Sequence, residues 1–419
     1  MSTGTSLQSQ SNAGRSAAIA TSAKVRPGVL VVMYSNPNYH PPTINGVRIM
    51  NELFSVKIVC RNDAGPAADW PPAVAIERVG ELMTSDESFR AGAWRKLSWY
   101  RTFVRRVAAA IAETKPALVY AYDPIGFAAS IEAIGKARAE IPVVFHCLDN
   151  PELGRERIAS LQYWIFRYAL RHTRGAAFTI FPSKYRAPLW LEPALDQRAA
   201  MIVPNGSARE FYPSRKDWSA LARSRWESKR VLYLGVMGPD NGQPQALRAL
   251  AALQAEVKLD VVGFSTAAFR RELGELAASL SLQSRVSIVD WVPNAERVRR
   301  SEQAAVGLVL YRTVNPNWEH SGPSPNKLFE YAAWGLPVVV PDRKSFREFF
   351  VDDEWVLYAD TEDPASIARA IEFILADRDR YIAMSLAARA AHETKYNYER
   401  LFAPVIEKIC SLVGVAHDA

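Results

Sequence analysis

What most constrains this chain is a series of short, unbroken apolar runs, each set off from the next by polar or helix-patterned sequence, and the series occurs twice. In the first half the runs are VLVVMY (Val29–Tyr34), VKIVC (Val56–Cys60), ALVYAY (Ala117–Tyr122), PVVFHC (Pro142–Cys147), AAFTIF (Ala176–Phe181) and AMIVP (Ala200–Pro204). In the second they are RVLYLG (Arg230–Gly235), LDVVG (Leu259–Gly263), VSIVDWV (Val286–Val292), VGLVLY (Val306–Tyr311) and LPVVVP (Leu336–Pro341). Runs without polar alternation fit strands buried on both faces, and such strands belong to parallel sheets covered by helices. The chain's 419 residues exceed what one core usually organises. The expected fold is therefore α/β, with two Rossmann-like parallel-sheet domains facing a cleft and ligand sites at the carboxyl ends of the strands.

Residues 1–26 are rich in Ser, Ala, Thr and Gln and lack an apolar core segment, so a disordered tail is expected there and not a signal peptide. Residues 27–213 form the first expected domain and 214–395 the second, with the linker placed in the polar stretch between Tyr212 and Arg230. Residues 396–419 are expected as a C-terminal helix returning to the first domain, after a break near Thr394–Asn397. A hydrophobic fraction of 49% and a charged fraction of 23% are those of a folded protein. The net charge of +7 suits an anionic ligand or an anionic membrane surface and falls short of a nucleic-acid signature. Cys60, Cys147 and Cys410 are widely separated, which argues against a zinc site or a disulfide framework and for a reducing cytoplasmic setting. No apolar run is long enough to span a bilayer.

The most informative segment is SGPSPNKLFEYAAWGLPVVVPD (Ser321–Asp342). Pro323 and Pro325 stiffen a loop holding Ser324. Asn326 then stands at a helix start, where its side chain can cap open N–H groups. Gly335 ends the helix and LPVVV forms a buried strand. A helix N-terminus suits a pyrophosphate, and Lys327 adds a charge to it. Glu330, three residues on, can accept from both hydroxyls of a ribose. Spacing alone fits an ordinary surface Lys–Glu pair equally well.

NKLFEYAAWGLPVV resembles the nucleotide-binding signature of bacterial GT-B glycosyltransferases, the family-4-like group that builds polysaccharides and glycolipids. Other segments fall in the order of that family: VLYLGVMG, LDVVGFS, VSIVDWVPNAE, FPSKYRA with VPNGSAREFYP, and YADTEDPASIARAIEFILAD. The likeness spans about Val29 to Pro404. It implies that residues 27–213 bind an acceptor and 214–395 a nucleotide-sugar donor, a UDP-sugar foremost. Lys327, Glu330, Asn326, Ser324, Tyr311, Arg312 and Met237 are the implied donor-binding residues. Asn45–Gly46 resembles the glycine-containing loop that approaches the donor phosphates, and reads equally as a plain turn. The spacing around SGPS and NKLFEY is similar to xanthan-type glucuronosyltransferases, which use polyprenyl-diphosphate-linked acceptors.

Two departures stand out. Many relatives carry a second glutamate eight residues before the one matching Glu330, and here that position is Gly322. Many also carry Arg and Lys in the loop after the first donor-side strand, whereas Val236–Gln243 has no cation. Diphosphate neutralisation then falls to Lys327, Arg312 and backbone N–H groups. Catalytic candidates lie in PVVFHCLDNPE. His146 matches a cleft histidine of retaining relatives, and Asp149 an aspartate suited to act as base. Asp149 fits a helix cap before Pro151 as well, and His146 a satisfied strand-end histidine. No metal-binding motif stands at the donor loop, so metal-independent transfer with no cofactor is expected. WRKLSWYRTFVRR (Trp94–Arg106) and RIASLQYWIFRYALRHTR (Arg157–Arg174) join cations to aromatics, as helices lying on anionic bilayers do. Their apolar stripes equally suit a core. The expected function is sugar transfer to a saccharide or lipid-linked saccharide by a cytoplasmic, peripheral enzyme. The alternatives are a nucleotide-sugar epimerase and a non-catalytic sugar-nucleotide-binding scaffold. No nucleic-acid partner is expected.

Overall fold

A computed structural model describes residues 26–150, 160–191, 200–209, 217–312, 314 and 316–416. The expected tail lies outside the described residues up to residue 25, as do residues 213–216 of the expected linker.

The first sheet holds β1 (Gly28–Met33), β2 (Ser55–Asp63), β3 (Ala75–Met83), β4 (Leu118–Tyr122), β5 (Val143–His146), β6 (Phe178–Phe181) and β7 (Ala200–Ile202). Its order is β3-β2-β1-β4-β5-β6-β7 and its pairings are parallel. The second holds β8 (Arg230–Leu234), β9 (Lys258–Val262), β10 (Val286–Val289), β11 (Val306–Leu308), β12 (Val338–Pro341) and β13 (Val356–Ala359). Its order is β10-β9-β8-β11-β12-β13, also parallel. In each sheet the strand order reverses beside the first strand, between β1 and β4 and between β8 and β11. Ligands of open α/β sheets bind outside the carboxyl ends at such switch points.

The sheet centres are continuous apolar runs, with β1 and β4 buried almost throughout, and the runs of β7 and β10 stand at sheet edges. Two strands outside the expected series, β3 and β13, are edges. β3 alternates apolar with Glu and Arg residues, and only Met83 of it is buried. β13 is short and half covered. An edge strand buries one face and one neighbour, so its sequence carries a weaker apolar signal.

The expected linker is largely helix. Trp218–Ser228 is capped by Asp217, whose side chain accepts from the Ala220 N–H. Arg225 of that helix is buried and donates to the carbonyls of Trp334, Ser301 and Glu302. The late helix is Pro364–Ala376, with the Asp363 side chain capping Ala365 and Ser366. The break near Thr394 is a single wide turn, His392–Tyr396. Asn397 then caps the last helix, Tyr398–Val413, by accepting from the Arg400 N–H. Tyr398, Phe402, Val405 and Ile409 of that helix pack into the same core as Val29, Val31 and Met50 of the first domain.

Candidate functional site

The second-sheet side of the cleft is organised by the helix Asn326–Ala333. Its apolar residues Leu328, Phe329, Tyr331 and Ala332 are buried, and the Tyr331 hydroxyl accepts from the Leu234 N–H at 2.8 Å, tying the helix to the end of β8. Lys327 is 8% exposed. Its Nζ lies 3.8 Å from the centre of the Tyr233 ring and 5.0 Å from that of Tyr311. No hydrogen bond or ion pair reaches it among the described residues. Burial lowers its pKa to about 7, against the smaller opposing pull of Glu330. The two tyrosine faces are partial counterions, not full ones.

Gly235, with φ of 119°, turns the chain at the end of β8 directly over this ammonium. A Cβ there would stand 3.3 Å from Lys327 Cε. The left-handed conformation and the close approach both require glycine. Tyr311, at the end of β11, stacks on Trp318 with ring centres 4.4 Å apart. Its carbonyl accepts from Arg343 and from Thr361 Oγ1. Phe264 and Trp291, beyond β9 and β10, are each 37% exposed and stacked 4.7 Å apart. Tyr39 of the first domain meets Phe264 edge-on at 6.2 Å.

Across the cleft, Asp149 follows β5 with its side chain 82% exposed. Arg186 Nη1 donates to its Oδ1 at 3.0 Å and to the Leu148 carbonyl at 3.3 Å. Arg186 Nη2 reaches the other domain, donating to the Asn317 carbonyl at 3.2 Å. Asn317 Nδ2 returns a bond to the Asn150 carbonyl at 2.7 Å. Two further bonds extend this seam: Ser183 Oγ to the Gly322 carbonyl at 3.1 Å, and Asn205 Nδ2 to the Ser324 carbonyl at 2.7 Å. The loop before the Lys327 helix is thus held by hydrogen bonds from the opposite domain. Burial lowers the His40 pKa, and nearby Asp149 pulls it the other way.

Several expected site residues fall elsewhere. Asn326 does not cap: Pro325 holds the cap position, and Asn326 Oδ1 is buried without a partner. Arg312 is drawn off by Glu362, its Nε donating to both carboxylate oxygens at 2.9 and 3.0 Å. Met237 is buried in the core of the second domain. Asn45 and Gly46 lie within the helix Pro41–Leu53 and not in a phosphate loop. A Cβ on Gly46 would stand 2.9 Å from the Tyr122 hydroxyl, so the glycine serves packing, and Asn45 Nδ2 donates to the Gly206 carbonyl. His146 does not reach the cleft surface. It is fully buried, stacked on Tyr122 at 5.0 Å, with Nδ1 2.8 Å from the Tyr120 hydroxyl. Burial holds its pKa down at about 3, so it is a neutral core residue. The structure brings together Lys327, Tyr311 and Ser324, with Glu330 half-buried one turn along.

At Gly322, where the resemblance implies a glutamate, a Cβ would stand 2.8 Å from the Phe346 ring. Phe346, fully buried, occupies the space a longer side chain would need.

A family profile described as glycosyl transferase-like matches residues 243–407. No curated protein matches the chain in sequence. Among solved structures, sucrose-phosphate synthase from Thermosynechococcus elongatus superposes with a TM-score of 0.73 at 17% identity, over 93% of this chain and 100% of that one. HepE from Anabaena, solved in complex with UDP, does so with a TM-score of 0.69 at 16% identity, over 92% and 100%. WaaG, a glycosyltransferase involved in lipopolysaccharide biosynthesis, gives 0.64 at 13% identity, over 90% and 98%. The fold is GT-B.

Two cleft residues had escaped the sequence reading. Asp123 follows β4 in a Tyr-Asp-Pro step, a strand-end signal legible in principle. Arg186 sits in FPSKYRA with nothing local to mark it, because its partners Asp149 and Asn317 are 37 and 131 residues away.

Proposed function

We propose that this protein transfers a glycosyl unit from a nucleotide-sugar, a UDP-sugar foremost, to a hydroxyl of a saccharide or lipid-linked saccharide acceptor. Lys327 carries this reading. An unpaired ammonium buried at a helix N-terminus, beneath a glycine turn at a switch point, is costly unless an anion completes it. A nucleotide diphosphate supplies that anion. Glu330 faces the ribose in this reading. Phe264 and Trp291, one and two strands along from Gly235 at roughly 4.8 Å per strand, offer flat faces to the base. The acceptor hydroxyl attacks the anomeric carbon, the carbon–oxygen bond to the diphosphate breaks, and Asp149 takes the hydroxyl proton. Lys327 and the helix N-terminus stabilise the departing charge. With that cation in place, we infer transfer without a metal; activity abolished by chelation and restored by Mg²⁺ would oppose this.

The xanthan-type branch and a polyprenyl-diphosphate acceptor belong to the same proposal, together with a peripheral site on an anionic cytoplasmic membrane face. No described helix is long and apolar enough to cross a membrane. Of the expected apolar stripe, Ile165 and Ala169 pack into the core. Trp94, 85% exposed, and Trp164, 55% exposed, face outward on helices that carry exposed Arg95, Arg101, Arg105 and Arg171. Co-sedimentation with anionic but not neutral liposomes at low salt is the expected result.

Gly322 at the position where the resembled family carries a glutamate, together with the cation-free Val236–Gln243 loop, favours a second reading, a scaffold that binds the nucleotide without transfer. The deciding experiment is a thermal-shift series with UDP, GDP and their sugars on wild type and Lys327→Ala, followed by donor turnover. Stabilisation by a uridine nucleotide, lost in the variant, with donor consumption, is expected. Binding without consumption leaves the scaffold, and no binding by folded protein removes the donor site.

A further inference from the structure

A cavity of about 270 Å³ opens at the β1/β4 switch point and is lined by Tyr34, Ser35, Asp123, Gly126, Asp149 and Phe166, among others. Every lining residue comes from the first domain, whereas Lys327 and Tyr311 belong to the second. The cavity lies just below the range of about 300–1,000 Å³ that drug-sized ligands occupy, which makes it a space for one ring.

Its chemistry is uneven in a particular way. Asp123 adopts a left-handed conformation, with φ of 57°, that few non-glycine residues take. Such strain persists where the surroundings enforce it, often at functional sites. Here Asp123 Oδ1 accepts from the N–H groups of Leu148 at 2.9 Å and Asp149 at 3.4 Å. Its second oxygen has no partner among the described residues, and the residue is partly exposed where the cavity opens. The rest of the wall includes aromatic surface. Tyr34 is fixed by edge contacts from Tyr100 and Phe103, at 6.0 and 5.0 Å, and by the Arg61 guanidinium 5.1 Å above its ring. Phe166 is buried.

Rigid carboxylates beside aromatic faces suit a molecule with hydroxyls on its edge and C–H groups on its faces. An apolar ligand would strip water from Asp123 without replacing it. An anionic ligand would meet two carboxylates, while the neighbouring cation, Arg186, already directs both Nη groups to Asp149, Leu148 and Asn317. Burial, together with the charge of Asp149, raises the Asp123 pKa to about 7, so near neutrality the group both gives and accepts a proton in hydrogen bonds. That favours a hydroxyl over an ammonium.

We propose that this cavity is the acceptor subsite for a single neutral pyranose, held by Asp123 and the faces of Tyr34 and Phe166, with its outward hydroxyl beside Asp149. The inference rests on the glycosyl-transfer reading and adds the class of sugar accepted.

Saturation-transfer NMR on the full chain with UDP present tests it, using the methyl glycosides of glucose, mannose and galactose as probes beside glucuronic acid and glucosamine. Two variants accompany the wild type. Asp123→Asn keeps the left-handed conformation and the Oδ1 acceptor, and Ser35→Phe fills the cavity. A neutral glycoside should bind, weaken about tenfold in Asp123→Asn and lose its signal in Ser35→Phe, while UDP still stabilises both variants. Preference for glucuronic acid or glucosamine overturns the proposal. So does binding indifferent to both substitutions, or the absence of glycoside binding where UDP binds. Glycoside binding without UDP binding supports the subsite and removes the donor reading; failure of both in folded protein removes both.

Discussion

Replacing Lys327 by methionine keeps most of the length of the side chain and removes its charged end, which tests the cost of holding an ammonium in the empty cleft. The pKa falls from 10.5 to about 7, chiefly through burial. At about 1.4 kcal/mol per pH unit, charging this lysine without a ligand costs on the order of 5 kcal/mol. Between about pH 7 and 10.5 the unfolded chain holds a proton that the folded one lacks. The contribution of Lys327 to stability therefore rises with pH across that window. A bound diphosphate reverses the balance by drawing the lysine back to its charged form. At pH 8, where the phosphates of UDP are fully ionised, binding should take up about 0.9 proton. The dissociation constant should then weaken about fifty-fold between pH 7 and pH 9. Calorimetric titration at pH 8 in two buffers of different ionisation enthalpy reads the uptake directly. Lys327→Met should abolish it, weaken UDP binding at pH 7, and melt no lower than wild type when empty. Binding without proton uptake, or a variant that loses stability at pH 7 while binding UDP normally, would refute the reasoning.

Asp149→Asn should lower transfer by about 10²–10⁴-fold with UDP affinity unchanged, measured by nucleotide release and calorimetry; normal turnover removes Asp149 as base. Gly322→Ala should cost about 1–3 kcal/mol in urea unfolding by pressing on the Phe346 ring, and Phe346→Leu should relieve part of that loss. Phe402→Ala should cost about 3–5 kcal/mol by opening the core that joins the last helix to the first sheet. Asp123, raised from 3.8 to about 7, keeps in the folded state a proton that the unfolded state has lost between those values. Its contribution thus falls as pH rises through that window, and the stability of Asp123→Asn relative to wild type should improve from pH 4 to pH 7.

The fold was legible because its signal is local. Each unbroken apolar run reports a strand covered on both sides, and two such series separated by helical segments leave little besides two parallel sheets. The Lys327 segment was legible for the same reason: loop, helix, glycine and strand lie within one stretch of chain. Edge strand β3 was not, because a strand with one covered face and one neighbour needs few apolar residues, and β13 is an apolar run of only four residues. The site depended on distance. His146 and Asp149 stand three residues apart, yet one is sealed in a tyrosine core and the other lies 82% exposed at the cleft. Arg312 has the chemistry of a phosphate ligand, and Glu362, fifty residues on, removes it from that role. Gly46 reads as a loop glycine until Tyr122, Tyr398 and Phe402 close around it. Residue type and spacing determined which chemistry this chain carries. Only the tertiary structure decided which groups are paired, buried or open, because burial and pairing are set by partners that no local stretch of sequence contains.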